Sequence, residues 1–600
     1  MREKIKPGVY AILSAIALCI SGRFSVTVSG WAKLAAELSG EKEQAFVIVI
    51  LLMILYTKSW SIYISGRQWI THILAVCFSC CMLIGKSFSQ TGDIKFIFGD
   101  IKQFCIAAIV FWGFYILFDV AITLLYVYIN EKSEEKEKSI KIKWIEEHYF
   151  AFSFLCMLLC WSPYILCYLP GSVPHDGYWQ LNMAFGINPL TNHHPWVITF
   201  IYGVIMRIGR CINDNFGVFM IVAIFTVIEI LCYASVCNSL KKWGASKKVY
   251  IGTLVFFSVV PAFGSYAQAV IKDNIFTALL ALFFIIYIDI CMHHGKNIEI
   301  KKMVILFLVG MMVCLTRNNG VYIVIPSMVC LILYVQKERS RYVILLICLM
   351  VCYQGLEGYV APQLGVKKGS VKEVLSIPFQ QTARYIKEYP EEVTLKEKKA
   401  INDILSYDEI KENYNPEISD FVKNTFRKGS DKLDEYFKVW FEMFLKHPMV
   451  YIEATLNNTF GYYYPFYNEN VLGDYQFYIK GAPVATGYFD IHYITPVKIR
   501  TVLAGYAQIW KKVPGFSQLV NPGFYTWIVL LLAGYLIYRK RTRDILLLIG
   551  PAINILICIA SPVNGLLRYV LPLMACTPLL IYLTVCEEKE SETEGENRPL

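Results

Sequence analysis

Asp176 lies in the segment Pro174-His-Asp-Gly-Tyr-Trp179, just beyond an apolar run that ends near residue 169. A carboxylate at a hydrocarbon boundary, flanked by Tyr178 and Trp179, is placed to have a raised pKa and to abstract a proton from a hydroxyl. The plainer role for such a residue is helix N-capping. Four further polar constellations stand at the ends of apolar runs or beside them. Gln268-Ala-Val-Ile-Lys-Asp-Asn274 places Lys272 and Asp273 at the start of a span, and Thr316-Arg-Asn-Asn-Gly320 places Arg317 and Asn318 in a tight turn between two spans. Gln380-Gln-Thr-Ala-Arg384 opens a long polar stretch, and Leu567-Arg568-Tyr569 precedes the last apolar run. Taken singly, Lys272 and Arg317 read as interfacial anchors. Taken together, Lys272, Arg317, Arg384 and Arg568 are cations near the interface that also holds Asp176, an arrangement suited to a phosphate, which Arg binds bidentately.

His175, His193 and His194 stand near Asp176 in sequence, the latter two in Thr191-Asn-His-His-Pro-Trp196. Neighbouring side chains on a helix point in different directions, so only one of His193 and His194 can face Asp176, and hydrogen bonding is favoured over metal ligation. No cofactor is implied. Metal dependence stays open: a divalent ion between Asp176 and Asp273 has no supporting ligand spacing. The polar and aromatic neighbours His175, Tyr178, Trp179, His193, His194, Asn318, Gln381 and Tyr569 are the candidates for contacting substrate.

The elements that must position these residues are membrane spans. The chain of 600 residues is 56% hydrophobic and only 17% charged, with a mean hydropathy of +0.46. Soluble chains carry about 25% charged residues, so an ordinary water-soluble enzyme is excluded. The expected fold class is mainly α: a polytopic helical membrane protein of about fourteen spans with an α-rich mixed extracytoplasmic domain. The apolar runs lie near 8–22, 44–57, 69–86, 104–129, 149–169, 217–238, 249–265, 272–291, 302–316, 319–336, 342–358, 523–540, 544–560 and 566–586. The first follows Arg2, Lys4 and Lys6 without a small-residue cleavage site and reads as a retained span. The chain divides into a four-span module (1–148), a membrane core (149–359) with a loop at 170–216, a soluble domain (360–522), three closing spans (523–586) and an acidic tail (587–600).

The net charge of +10 has a topological explanation. Basic residues cluster in the short loops at Lys58/Arg67, 131–148, Lys241/Lys242/Lys247/Lys248, Lys301/Lys302, Lys337/Arg339/Arg341 and Arg539–Arg543, which the positive-inside rule assigns to the cytosol. Both termini are then cytoplasmic, and Asp176 with its cationic neighbours faces outward. This parity requires 195–209 to be a re-entrant or interfacial helix. No nucleic-acid module accompanies the basic residues. The nineteen cysteines fall within or beside apolar runs, as small apolar membrane residues rather than a disulfide scaffold. With the lack of sorting signals, they fit a bacterial plasma membrane.

This arrangement resembles the GT-C superfamily of integral-membrane glycosyltransferases, akin to mannosyl- and arabinosyltransferases that use polyprenyl-phosphate sugars. The shared features are an acidic loop, a His-Pro motif leading into a membrane-embedded helix, a second acid opening a later span, an Arg-Asn turn and a C-terminal Arg-Tyr. The likeness covers roughly 150–360 and 523–586, and the four spans before residue 149 depart from the usual pattern. The resemblance implies that Asp176 is the catalytic loop carboxylate and Asp273 the second acid, with Arg317 and Arg568 on the donor phosphate. It also implies partners: a polyprenyl-phosphate sugar donor, a glycan, lipid or protein acceptor, and membrane lipid.

Other readings remain. Asp119, Glu229 and Asp289 lie inside spans without an obvious basic partner, and Asp119 would suit a transporter or flippase for a lipid-linked saccharide. An oligosaccharide polymerase or ligase would use Arg384 and His447 in the long loop, and a non-catalytic scaffold would make Asp176 dispensable. The aromatic run Phe460–Tyr467, with Tyr475, Phe477 and Tyr478, either stacks on a glycan or forms a hydrophobic face.

Overall fold

The computed structural model describes residues 2–23, 42–132, 147–293, 295, 298–335, 337–427, 432–467 and 488–585. The acidic tail 587–600, most of the 131–148 loop, and Tyr475, Phe477 and Tyr478 lie outside the described residues. The protein is mainly helical. Among the described residues β-structure is confined to isolated bridges, and no disulfide joins the described cysteines.

The described residues of the fourteen apolar runs are mostly helical, although 249–265 is split between two helices. Nine helices are long and apolar enough to cross a membrane among the described residues, or ten if one bent pair is a single span. The N-terminal module contains α1 (Arg2–Arg23), α2 (Lys42–Gly66), α3 (Trp69–Thr91) and α4 (Ile101–Lys132). The core follows with α5 (Tyr149–Cys167), α6 (His175–Ala184), α7 (Trp196–Gly209), α8 (Asp214–Lys242), α9 (Lys247–Val259) and α10 (Pro261–Ala267), the last two forming the bent pair. It continues through α11 (Lys272–Met292), α12 (Ile300–Thr316), α13 (Gly320–Tyr334) and α14 (Arg339–Gly355). The helix α7 has 14 residues, about 21 Å at 1.5 Å per residue, too short to cross a bilayer alone.

Between the membrane-length helices lies a separate helical cluster built on α15 (Ser376–Glu388), α16 (Leu395–Ile404), α17 (Leu433–Lys446) and α18 (Pro448–Asn457). Its own core contains Phe379, Ile401, Tyr436 and Met443. The helix α19 (Val497–Lys512) packs Ala507 and Trp510 into the membrane core. The chain ends in α20 (Pro522–Tyr538), α21 (Ile549–Ile559) and α22 (Leu567–Val585).

The aromatic run 460–467 is a structural wedge. Phe460, Tyr462 and Tyr464 are buried. Tyr464 leans on Gly85 of α3 and on Gly523 of α20, where an added Cβ would collide with it. The indole of Trp527 donates to Tyr463 O at 2.9 Å and stacks on Phe78, ring centroids 4.1 Å apart. The N-terminal module is thereby tied to α20, a contact reinforced by the Tyr126 hydroxyl on Leu531 O at 2.7 Å.

Two of the three intramembrane acids have partners on other elements, contrary to expectation. Asp119 accepts from Tyr63 at 2.7 Å and Thr71 at 2.9 Å and stands 3.1 Å from His72. Asp289 pairs with Lys302 and accepts from Trp243 at 3.1 Å. Glu229 is buried in α8, and its Oε1 has no hydrogen-bond partner.

Candidate functional site

A short parallel pairing brings Asp176 to Lys272 across 96 residues. Ser172 N donates to Gln268 O at 3.0 Å and Val270 N to Ser172 O at 2.8 Å, setting the segment before α6 alongside the segment before α11. Gly177 completes the fit, because a Cβ there would lie 2.0 Å from Val270 O. The first turn of α6 is therefore pressed onto the start of α11. Pro174, not Asp176, is the N-cap of α6, which leaves the carboxylate free to make ion pairs.

Asp176 Oδ2 stands 3.3 Å from Lys272 Nζ and 3.2 Å from Arg568 Nη1. Lys272 Nζ also donates to His194 Nδ1 at 3.1 Å. The adjacent carboxylate of Asp273 is 3.2 Å from Arg317 Nη1 and 3.8 Å from Arg568 Nε. Tyr569 floors the group: Arg317 and Arg568 lie over its ring at 5.2 Å and 5.3 Å. Lys272 and Arg317 are buried, so the interfacial-anchor reading does not describe them.

Three cations face two carboxylates here, with one unit of positive charge in excess. The raised pKa expected for Asp176 is not found: burial by itself would raise it, but Lys272 and Arg568 reverse this and hold it well below the usual carboxylate range. Burial, reinforced by Lys272, pushes the His194 imidazole down to about 2, so it is neutral. A neutral His194 accepting at Nδ1 carries its proton on Nε2. Asp176 retains 23% side-chain exposure while Asp273 has 1%. The first is the reachable carboxylate and the second a buried counter-charge. A site with surplus positive charge and a reachable carboxylate can bind an anion and take a proton from a neighbouring hydroxyl.

The other expected residues divide into a rim and a remote group. His175 is exposed and stacks on Trp179, ring centroids 5.9 Å apart. Tyr178 meets Phe489 edge-on. Of the adjacent histidines only His194 turns toward Lys272, while His193 is 3.7 Å from Glu373. Asn318 Nδ2 donates to Asn192 O at 2.8 Å, steadying the backbone before both histidines.

Arg384 and Gln381 are bonded elsewhere. Arg384 pairs with Glu453 at 2.6 Å and Glu388 at 2.8 Å, and donates to Gly92 O at 3.0 Å. Gln381 donates to Thr455 at 2.9 Å and accepts from Trp440 at 3.1 Å. His447 is paired with Glu392 at 2.8 Å and stacked on Tyr389. These side chains join helices of the 376–457 cluster to one another and to the end of α3. No group of three His, Cys, Asp or Glu side chains suited to a metal ion occurs among the described residues.

Glu357 has a place at this site that sequence inspection misses. It lies in a single π-helical turn, Leu356–Val360, directly after α14, an irregularity often found at functional sites. Its carboxylate accepts from Asn192 Nδ2 at 2.7 Å and Trp196 Nε1 at 2.9 Å, gripping both ends of the segment that carries His194. Its one sequence signal is an acid at the end of an apolar run.

No curated protein and no solved structure matches the chain. A family model described as a family of unknown function, DUF6020, matches residues 186–598, which takes in His194, Lys272, Asp273, Arg317 and Arg568 and begins just beyond α6. The match covers more than half of the 600 residues, and the chain belongs to the DUF6020 family.

Proposed function

We propose that this protein is a membrane glycosyltransferase that moves a sugar from a polyprenyl-phosphate donor to an extracytoplasmic acceptor, with Asp176 as general base. The observation that carries the reading is the convergence of Asp176, Lys272, Asp273, Arg317 and Arg568, drawn from four separate stretches of chain, into one cationic cluster. In the transfer, an acceptor hydroxyl attacks the anomeric carbon and gives its proton to the Asp176 carboxylate. The bond from that carbon to the phosphate oxygen breaks, and its electron pair leaves with the phosphate. Arg568, Lys272 and Arg317 stabilise the charge gained by the leaving group, so little acid assistance is needed.

The cations also determine when the base acts. With Lys272 and Arg568 on its oxygen, Asp176 is a weak base. A donor phosphate competes for the same two cations, and drawing them off restores basicity to the carboxylate. Donor binding thus precedes activation of the acceptor. The test is transfer from a radiolabelled polyprenyl-phosphate sugar in membranes carrying wild type, Asp176→Asn or Asp119→Asn. Loss in the first with retention in the second is expected; full transfer by Asp176→Asn would sink the assignment.

A further inference from the structure

A second site lies in the 376–457 cluster, apart from the Asp176 network. A cavity of about 350 Å³ opens between α17 and α18, walled by Trp440, Phe441, Phe444, Ile452 and Leu456. Its polar groups are engaged with one another: the Trp440 indole donates to Gln381, whose amide donates to Thr455. The wall offered to a ligand is therefore hydrocarbon and aromatic, with no charge to pair. Around its mouth the apolar surface continues outward. Phe437, Phe441 and Leu445, four residues apart on one face of α17, are exposed, as are Met449 and Ile452 on α18.

The position of the cavity identifies what covers this surface. The helix α18 is bonded to the end of α3: Asn457 Nδ2 donates to Gly92 O at 2.7 Å, and Ile94 N to Glu453 Oε1 at 3.2 Å. Gly92 caps a helix long and apolar enough to span a membrane, so α18 is level with a bilayer surface. Leu456, part of the cavity wall, packs into the same cluster as Cys81 and Ile84 of α3. Below, the free face of α3 exposes Ile73, Val76 and Cys80, Phe98 is exposed just before α4, and the start of α4 exposes Ile101 and Phe104. The α17–α18 surface thus continues a lipid-facing band upward. Tryptophan and tyrosine at this level are typical of a membrane interface.

We propose that this cavity takes a hydrocarbon chain of a bilayer phospholipid from the adjacent leaflet and so moors the 376–457 cluster on the membrane. The proposal holds whether or not the protein transfers sugar. The full chain is placed in nanodiscs of dioleoyl phosphatidylcholine or of phosphatidylcholine brominated near the middle of its chains, and the Trp440 emission is taken as the difference from Trp440→Phe. The Trp440 component is expected to be lost in brominated lipid to the same degree as that of exposed Trp112 on α4, measured likewise by Trp112→Phe. Equal Trp440 emission in the two lipids overturns the proposal. Phe441→Asp, which places a charge at the mouth, is expected to abolish the Trp440 loss while leaving that of Trp112, which shows that the variant is still inserted; persistent Trp440 quenching overturns the proposal. Added polyprenyl phosphate should leave the Trp440 signal unchanged. Recovery of emission would assign the cavity to a carrier lipid and overturn the phospholipid.

Discussion

Lys272 Nζ stands between Asp176 Oδ2, at 3.3 Å, and His194 Nδ1, at 3.1 Å, so one buried ammonium restrains both the reachable carboxylate and the neutral imidazole beside it. The ammonium favours the charge on the carboxylate and, adding to the larger effect of burial, disfavours a second cation on the imidazole.

That arrangement predicts a difference between two pH profiles. A depressed carboxylate pKa contributes stability that is present above the unfolded value, about 3.9, and is lost as pH falls through the folded value. Asp176 is held well below the usual range and His194 near 2. Between about pH 5 and 8 neither changes charge in the free protein. For these two groups kcat/KM for the donor should be flat across that interval. In the proposed transfer the donor-bound state differs, because a donor phosphate would draw off the cations and raise the Asp176 pKa, so kcat should fall toward the acid end. Initial rates across pH check this; an acid limb of equal depth in kcat/KM would count against cation release by the donor.

The Arg317–Asp273 pair separates stability from chemistry. Both partners are buried, and removing one strands a charge, which typically costs about 3–5 kcal/mol. Arg317→Leu should therefore lower the Tm of the full-length protein in detergent sharply. Arg317→Leu combined with Asp273→Leu should regain much of that loss, since an apolar pair often replaces a buried ion pair at little cost. Transfer should not return with the stability, because the double variant lacks a cation of the proposed phosphate-binding cluster.

Much of this site was legible because its ionic residues interrupt apolar runs. Asp176, Lys272, Asp273, Arg317 and Arg568 all stand at the ends of helices or in the turns between them, where a charge is conspicuous. Arg384 looked similar, at the start of a polar stretch, but its partners Gly92 and Glu453 are 292 and 69 residues away, and nothing local announces them. The same limit hid the partner of Asp119, since His72 lies on another helix. The aromatic run 460–467 had the composition of a sugar platform; its role as a wedge depends on glycines at 85 and 523 that leave room for Tyr464. Glu357 offered only an acid at the end of an apolar run, and the π-turn that aims it has no sequence period.

Arg384 should behave as a structural residue. Its guanidinium is buried and bonded to Glu453, Glu388 and the end of α3, so Arg384→Ala should destabilise the protein by about 3–5 kcal/mol. At a temperature where the variant remains folded, KM for the donor should equal that of the wild type. Arg568→Ala should show the reverse pattern, with donor KM raised more than Tm is lowered. A large rise in donor KM for Arg384→Ala, with Tm unchanged, would return Arg384 to the phosphate site.

Glu357 should act as a positioning residue through the segment it grips. Two hydrogen bonds to a carboxylate, each contributing about 1.5–3 kcal/mol, hold Asn192 and Trp196 and with them the His194 contact to Lys272. Removing them in Glu357→Ala frees the segment, and kcat/KM should fall about tenfold, equivalent to about 1.4 kcal/mol. Glu357→Gln provides the control. One amide oxygen can still accept from Trp196, while its NH₂ can donate to Asn192 Oδ1, which has no partner in the resting site. Both grips are then kept with the charge removed, and kcat/KM should stay within about twofold of wild type. If Glu357→Gln fell as far as Glu357→Ala, the negative charge and not the grip would be the function of Glu357; if neither variant lost activity, the His194 segment would need no such restraint.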